Sequence, residues 1–338
     1  MNEQDYAIVV GIDNYREDQR LKLAAAEHDA VQFLRWLRSP AGGAVPKKNT
    51  HVFLSRFYPP NPRPLRSQPM KNDIDDCLVE FGVDQETRIG RRFYFYFAGH
   101  GIGPNLREVA LLMANATRRR LGNNLGIFDY LDFFLNWAPF DEIVILLDCC
   151  RDIEDSFSAI PAIFTKDKRP DAPIVKHMIA LGSRYGEKSW EVKIEPTDWR
   201  PRCLFTTVLL EGLHRAVDGH GRITADSLAT YLNERLPTFA SQNRRRQRPE
   251  ILGEFQKEIV FGRGELPAVR IPLPDGWHGP LSLCDNQGEA ARFEAAPGDT
   301  AAEVSIRPGL YSLREAGGAV RYLIVEPGSQ EARYVTIG

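Results

Sequence analysis

The chain has 338 residues, with 43 Lys and Arg against 45 Asp and Glu for a formal net charge of -2, and it is 43% hydrophobic and 26% charged. That near-balance argues against a protein whose main task is to coat nucleic acid or an anionic membrane, and the composition excludes wholesale disorder. No apolar run approaches the roughly 20 residues of a membrane span, and Met1-Asn2-Glu3-Gln4-Asp5 lacks the cationic start of a signal peptide. Five cysteines, two of them adjacent at Cys149 and Cys150, do not suggest a disulfide framework and fit a reducing, cytoplasmic setting.

In chain order, Tyr6 to Gly11 is a continuous β-branched run, the mark of a buried strand. Leu21 to Leu37 spaces Leu23, Ala26, Ala30, Phe33 and Leu37 as one face of an amphipathic helix, with Glu27, Asp29 and Arg35 between them. A short strand is expected at His51–Leu54, followed by a loop that Pro59, Pro60, Pro62 and Pro64 keep irregular. Asp73–Phe81 reads as a helix; its acids Asp73, Asp75 and Asp76 are expected to form a helix face, not a calcium loop.

Two further strands stand out, the aromatic Phe93–Phe97 and the aliphatic Glu142–Leu147, with a helix over Asp129–Trp137 between them. A strand at Lys176–Leu181 and helices at Leu204–Ala216 and Ala225–Leu236 follow, the second capped by Thr224. Strands alternating with helices imply an α/β fold, a parallel sheet covered on both faces.

The texture changes after Gly264. Ala268–Leu273, Leu281–Cys284, Ala302–Ile306, Leu310–Arg314, Val320–Val325 and Ala332–Ile337 are short alternating segments separated by turn signals such as Pro274-Asp275-Gly276 and Pro308-Gly309. They read as a small all-β sandwich. The expected organisation is residues 1–264 and residues 265–338, closely joined, since neither a repeat nor a low-complexity linker intervenes.

The chemistry concentrates where two strands end. One runs into Ala98-Gly99-His100-Gly101 and the other into Asp148-Cys149-Cys150-Arg151-Asp152. Ligands bind at the carboxyl ends of strands in open parallel sheets. If the two strands are neighbours, a thiol and an imidazole project from one edge, a nucleophile–base arrangement. Adjacent cysteines splay to opposite faces, which disfavours a zinc site of Cys149, Cys150 and His100; no metal and no cofactor is expected.

Tyr96-Phe-Ala-Gly-His-Gly101 with Leu147-Asp-Cys-Cys-Arg151 resembles the histidine and cysteine boxes of the caspase–metacaspase superfamily of cysteine peptidases, closest to bacterial caspase-like members. Ile8-Val-Val-Gly-Ile-Asp-Asn-Tyr15, Glu27-His-Asp-Ala30, the stretch from Ile179 to Trp190 and the segments Leu204–Leu213 and Gly219–Thr224 extend the likeness over about residues 5 to 262. The resemblance implies a caspase–hemoglobinase-like α/β fold, a mostly parallel sheet flanked by helices. It implies His100 as general base, Cys150 as nucleophile, and Gly101 and Cys150 as backbone donors of the oxyanion hole. Cys149 is then a packed, inert thiol.

The resemblance also bears on specificity. Asp148 matches the acid that lines the primary pocket of metacaspases, which cut after Arg or Lys. Ser189-Trp190-Glu191 stands where caspases, which cut after Asp, carry Ser-Trp-Arg. Asp148, Glu191 and Trp190, with Asp13 as a further wall residue, therefore suggest cleavage after a basic residue. The loop 153–173, which holds Lys166, Lys168 and Arg169, corresponds to the segment whose cleavage activates many family members. Proline after Arg169 directs attention to Lys166 and Lys168.

The expected protein is a zymogen in regulated proteolysis, in cell death or defence signalling. Its partners would be protein substrates with basic cleavage sites and an upstream activating protease, with no membrane partner. For the run Asn243 to Arg248, a solvated loop or a second processing site is preferred over nucleic acid. The alternative is a catalytically limited scaffold or self-cleaving protein that recruits partners through its β-sandwich.

Overall fold

The computed structural model describes residues 2–154, 156–193, 200–253, 259–264, 266, 268–286, 288–315, 318–326 and 329–336. Six strands build the central sheet: β1 (Asp5–Gly11), β2 (Thr50–Leu54), β3 (Gly90–Ala98), β4 (Phe140–Asp148), β5 (Lys176–Leu181) and β6 (Glu250–Gly253). Their spatial order is β6-β5-β4-β3-β1-β2. The first five run parallel, and β6 closes one edge antiparallel to β5.

The alternation of side chains along each strand divides the core in two. Ile8, Val10, Phe93, Phe95, Phe97, Ile143, Ile145 and Leu147 face helices α2 (Lys71–Phe81) and α3 (Ile127–Trp137). Ala7, Val9, Tyr94, Tyr96, Val144 and Leu146 face α1 (Ala26–Arg38), α4 (Leu204–Arg215) and α5 (Ala225–Gln242). Strands buried on both faces are why β3 and β4 read as unbroken apolar runs.

Two helix boundaries differ from the sequence expectation by more than a turn, while the others fall within two residues of it. α1 starts at Ala26, not Leu21; Gln19–Leu21 forms a 3-10 turn, and the N–H groups of Ala24 and Ala25 bond the distant Glu191 carboxylate. α5 runs through Pro237 to Gln242 instead of stopping at Leu236, because Leu236 and Ala240 on either side of the proline are both fully buried. Packing there outweighs the roughly 3 kcal/mol that an interior proline costs. Thr224 does cap α5, its hydroxyl accepting from the Ser227 N–H at 3.1 Å. The acids of α2 are not one open face: Asp73 accepts from the Met70 N–H, and Asp75 is buried against Lys71 and the Tyr130 hydroxyl.

Beyond residue 264 lie β7 (Ala268–Pro272), β8 (Gly279–Asp285), β9 (Gly288–Ala295), β10 (Ala301–Ser305), β11 (Gly309–Glu315), β12 (Val320–Val325) and β13 (Arg333–Tyr334). They form a five-stranded sheet, β9-β8-β11-β12-β13, and a two-stranded sheet, β7-β10. Val269 and Ile271 from the smaller sheet share one core with Leu281, Leu283, Tyr311, Leu313 and Leu323 from the larger. β9 went unread in the sequence because Gly288-Glu-Ala-Ala-Arg-Phe-Glu-Ala295 is poor in strand formers. Ile337 of the final expected strand lies outside the described residues, as does Glu265 at the expected boundary. Among the described residues no helix is long and apolar enough to cross a membrane.

Candidate active site

β3 and β4 are hydrogen-bonded neighbours with Ala98 paired to Asp148, so His100 and Cys150, each two residues further on, leave the sheet side by side. The chains stay parallel beyond the sheet, where Gly101–Gly103 pairs with Asp152–Ile153. The approach is close enough to demand glycine. A Cβ on Gly101 would lie 2.6 Å from the Cys149 sulfur and 2.8 Å from the Cys150 carbonyl oxygen.

His100 is held at both ends. Its Nε2 lies 2.8 Å from the Leu21 carbonyl oxygen, its backbone N–H donates to the Tyr15 hydroxyl at 2.8 Å, and Tyr15 in turn donates to Leu112 O. A carbonyl can only accept, so Nε2 carries the proton and Nδ1 keeps its lone pair, the tautomer of a base. Burial pushes the imidazole below its ordinary value, opposed by the Leu21 carbonyl and the Asp152 charge.

The two cysteines occupy unlike places. Cys149 points into the core and is 3% exposed, and burial raises its thiol well above the ordinary range. Cys150 is half-buried; its sulfur donates to the Ser189 carbonyl oxygen at 3.5 Å and accepts from the Ser189 N–H at 3.3 Å. Burial pushes the Cys150 thiol up to about 11, with Asp152 and Asp148 adding to the shift and the Ser189 N–H opposing it. In this conformation the nucleophile candidate is a neutral thiol turned to Ser189, and His100 is a neutral imidazole turned to Leu21.

Asp148 closes β4 and is 3% exposed. Its Oδ1 accepts from the Ser189 hydroxyl at 2.6 Å, and its Oδ2 from the Thr206 N–H at 2.9 Å and hydroxyl at 2.6 Å. Burial raises its pKa to about 6, a shift the Ser189 and Thr206 bonds oppose and the Asp29 charge reinforces. Asp29, on α1, accepts from the Cys203 N–H at 2.7 Å and is also buried. One ligand atom each from Asp29, Asp148 and Cys203 lies within 4.8 Å of the others. All four carboxylate oxygens already bond the protein, to His28, Cys203, Ser189 and Thr206, so we assign no metal there.

The sequence reading did not single out Asp29 as a site residue, yet a signal was present. The buried residues of α1 are Ala26, Glu27, Asp29, Ala30, Phe33, Trp36 and Leu37, so Asp29, like Glu27, is an acid among positions that the helical period gives to apolar side chains.

The remaining expected site residues have defined tasks. Asp13 accepts from the Glu27 N–H at 3.3 Å, while Glu191 accepts from Ala24 and Ala25, at 3.0 Å for the latter. Two carboxylates from distant segments thus meet the N-terminus of α1, where orphan N–H groups and the helix dipole favour negative charge. Burial raises both, Asp13 to about 6. Trp190 lies beneath the Arg245 guanidinium, 4.4 Å from its ring centre.

In the loop 153–173, Lys166 pairs with Asp129 and, at 3.8 Å, Asp132. Arg169 donates to the carbonyls of Glu86 and Ala138. Lys168, between them, is exposed, and among the described residues it has no ion-pair partner.

The caspase-domain family model matches residues 4–260, most of the chain and all of the site. The chain belongs to the caspase-domain family of peptidases. A protein named "Probable protease" from a Desulfuromonadales bacterium is 28% identical over 217 residues, which is 62% of this chain. The alignment spans only 26% of that relative's length. The structure is also similar to caspase-1 from Spodoptera frugiperda (13% identity, TM-score 0.49, covering 78% of this chain and 91% of that one). A second solved structure, pro-sf-caspase-1, is similar at 12% identity and TM-score 0.42, covering 77% and 94% of the two chains.

Proposed function

We propose that this caspase-domain protein is a cysteine endopeptidase that cleaves after Arg or Lys, with Cys150 as nucleophile and His100 as base. The observation that carries the specificity is a buried acidic box: Asp148, two residues before Cys150, with the Asp29 carboxylate close beside it. A guanidinium or ammonium group entering the box would take the place of the Ser189 and proton partners, making charge-assisted hydrogen bonds in a low-dielectric site. An aspartate side chain would add a third carboxylate to the box, a repulsive arrangement that selects against it.

The chemistry then follows from the chain's own groups. His100 Nδ1 takes the Cys150 proton, while Leu21 O holds the Nε2–H and steadies the imidazolium. The thiolate attacks the scissile carbonyl, and backbone N–H groups of Gly101 and Cys150 receive the oxyanion. Collapse to a thioester expels the amine, which takes the proton back from His100; water then hydrolyses the thioester and regenerates the thiol.

The described conformation supports a resting zymogen, since Ser189 occupies both the Cys150 sulfur and the Asp148 carboxylate. Activation by cleavage of the loop 153–173 fits Lys168, the exposed cation between two tethered ones. We further propose that residues 1–264 act as the peptidase and residues 265–338 as a separate β-sandwich, in a cytoplasmic protein of regulated proteolysis in cell death or defence signalling. Its partners would be basic-site protein substrates and an activating protease.

A second reading, a scaffold that recruits partners through its C-terminal sheets, draws on the same Ser189 contacts, because the thiol is not bonded to His100. Fluorogenic peptides ending in Arg, Lys or Asp, with Cys150→Ala and His100→Ala as controls, separate the two. Cleavage of Arg and Lys peptides alone, lost in both variants, is expected. Silence toward every peptide after loop cleavage would favour the scaffold.

A further inference from the structure

We propose that Arg244, Arg245 and Arg246 form a second substrate subsite, which takes a carboxylate side chain located within a few residues of the cleaved bond. This rests on the peptidase reading above and extends it from one substrate residue to a charge pattern.

The chain returning from α5 to β6 crosses over the loop that carries Ser189, and it is fastened there. Trp190 donates its backbone N–H to Gln247 Oε1 at 3.0 Å and its indole N–H to Arg246 O at 3.2 Å. Gln247, only 1% exposed, donates from Nε2 to Gly182 O at 2.8 Å and to the Ser189 hydroxyl at 2.9 Å. That hydroxyl is the one on Asp148, and the Ser189 backbone is the one on the Cys150 sulfur. The three arginines are therefore mounted, through one buried amide, on the segment that covers the nucleophile.

Their charges are uncommitted. Two other arginines around this loop have carboxylates, Arg248 with Glu187 and Arg151 with Glu250, and Arg184 donates to the Pro249 carbonyl. Arg244, Arg245 and Arg246 are exposed, and among the described residues none has a carboxylate partner. The Arg245 guanidinium carbon lies over the Trp190 ring, 4.4 Å from its centre. A cation over an aromatic ring keeps N–H donors available to a carboxylate, whose geometry the planar guanidinium fork matches.

Position sets the register. Trp190 directly follows the residue that touches the sulfur, and an extended peptide advances about 3.3 Å per residue. A side chain at the arginines thus belongs to a residue roughly two to four positions from the scissile bond. An acidic box for the residue cleaved after, beside a basic rim for a neighbour, selects a mixed-charge segment over a purely basic one.

The test uses the full-length, loop-cleaved protein and peptides with Arg at the cleavage position. Glu is compared with Gln at each of four positions on either side. At one or two positions the kcat/KM ratio of Glu to Gln peptide is expected to reach about tenfold, and to shrink as salt screens the pair. In the triple variant Arg244→Gln, Arg245→Gln, Arg246→Gln the ratio falls to near one, while Arg245→Lys keeps part of it. A ratio near one at every position in the wild type overturns the subsite and leaves the peptidase reading standing. Cleavage of no Arg peptide at all overturns the peptidase reading itself, and the subsite with it. A binding readout that needs no turnover runs in parallel: Cys150→Ala should hold the Glu peptide about tenfold more tightly than the Gln peptide. Equal affinity for the two, or binding of a single-stranded oligonucleotide in place of either, counts against the subsite.

Discussion

Ser189 contacts Cys150 from both sides of its own backbone, its N–H 3.3 Å from the sulfur and its carbonyl oxygen 3.5 Å away as an acceptor. Its hydroxyl meanwhile bonds the Asp148 carboxylate. One residue therefore covers both the proposed nucleophile and the proposed pocket acid, and under that proposal a substrate would have to displace it from both.

The first expectation concerns thiol reactivity. With the Cys150 thiol raised to about 11, only about one molecule in 10⁴ is thiolate at pH 7. Iodoacetamide should modify Cys150 of the intact chain slowly at pH 7 and about tenfold faster per pH unit up to about 11. After loop cleavage, the rate should level off at lower pH. Mass-spectrometric alkylation rates at Cys150 decide the matter; fast, pH-independent labelling of the intact chain between pH 6 and 8 would refute the resting state.

The second concerns pH and the pocket. The Asp148 carboxyl in the folded protein holds its proton up to about pH 6, whereas the unfolded chain loses it near 3.8. The folded state thus binds more protons between those values, so this group makes stability fall as pH rises from about 4 to 6. A bound cation needs the ionised form, so KM for an Arg peptide should fall as pH rises through about 6 and flatten above. Asp148→Asn should remove the KM step, shrink the stability step to the share that Asp13 contributes in the same pH range, and cut kcat/KM for Arg peptides about 10²-fold or more. Melting curves and KM measured across pH 4 to 8 check the two halves separately.

A third expectation separates the two acids of the box. Asp29→Asn leaves Asp148 next to the nucleophile but removes the second carboxylate. It should raise KM for Arg and Lys peptides about tenfold with kcat little changed. A fall in kcat at constant KM would instead place Asp29 in the chemical step.

The fourth concerns Gly101 and the cysteine pair. Gly101→Ala drives a methyl into the Cys149 sulfur and the Cys150 carbonyl, both under 3 Å. Overpacking of this kind costs about 1–3 kcal/mol, and activity should drop at least 10²-fold because the histidine and cysteine turns move apart. Cys149→Ala should stay active, whereas Cys150→Ala should be inert. Thermal melts and peptide turnover on the same preparations distinguish misfolding from misalignment.

Much of the central sheet was legible because the middles of β3 and β4, Phe93–Ala98 and Ile143–Leu147, are buried on both faces and apolar throughout, and their ends carry Gly99-His100-Gly101 and Asp148-Cys149-Cys150. β6 was not legible: four residues, Glu250-Ile-Leu-Gly253, become a strand only because β5 offers an open edge. The capping of α1 by Asp13 and Glu191 was equally hidden, since Glu191 and Ala25 are 166 residues apart and neither shows a local pattern. Asp29 was within reach, betrayed by its place on an apolar stripe. The fastening of Arg244–Arg246 to Trp190 depends on the path from α5 to β6, which no local spacing encodes.

Lys168 lies in the stretch of chain that joins β4 to β5, and those strands are hydrogen-bonded partners from Glu142–Lys176 to Leu147–Leu181 in the interior of the sheet. Scission at Lys168 would break the covalent thread and leave the strand ladder whole, with Lys166 and Arg169 still anchored on either side. The products would elute as one particle under native conditions and part only in denaturant. A vanishing full-length band on a denaturing gel, with unchanged native mass, would then mark activation, not degradation.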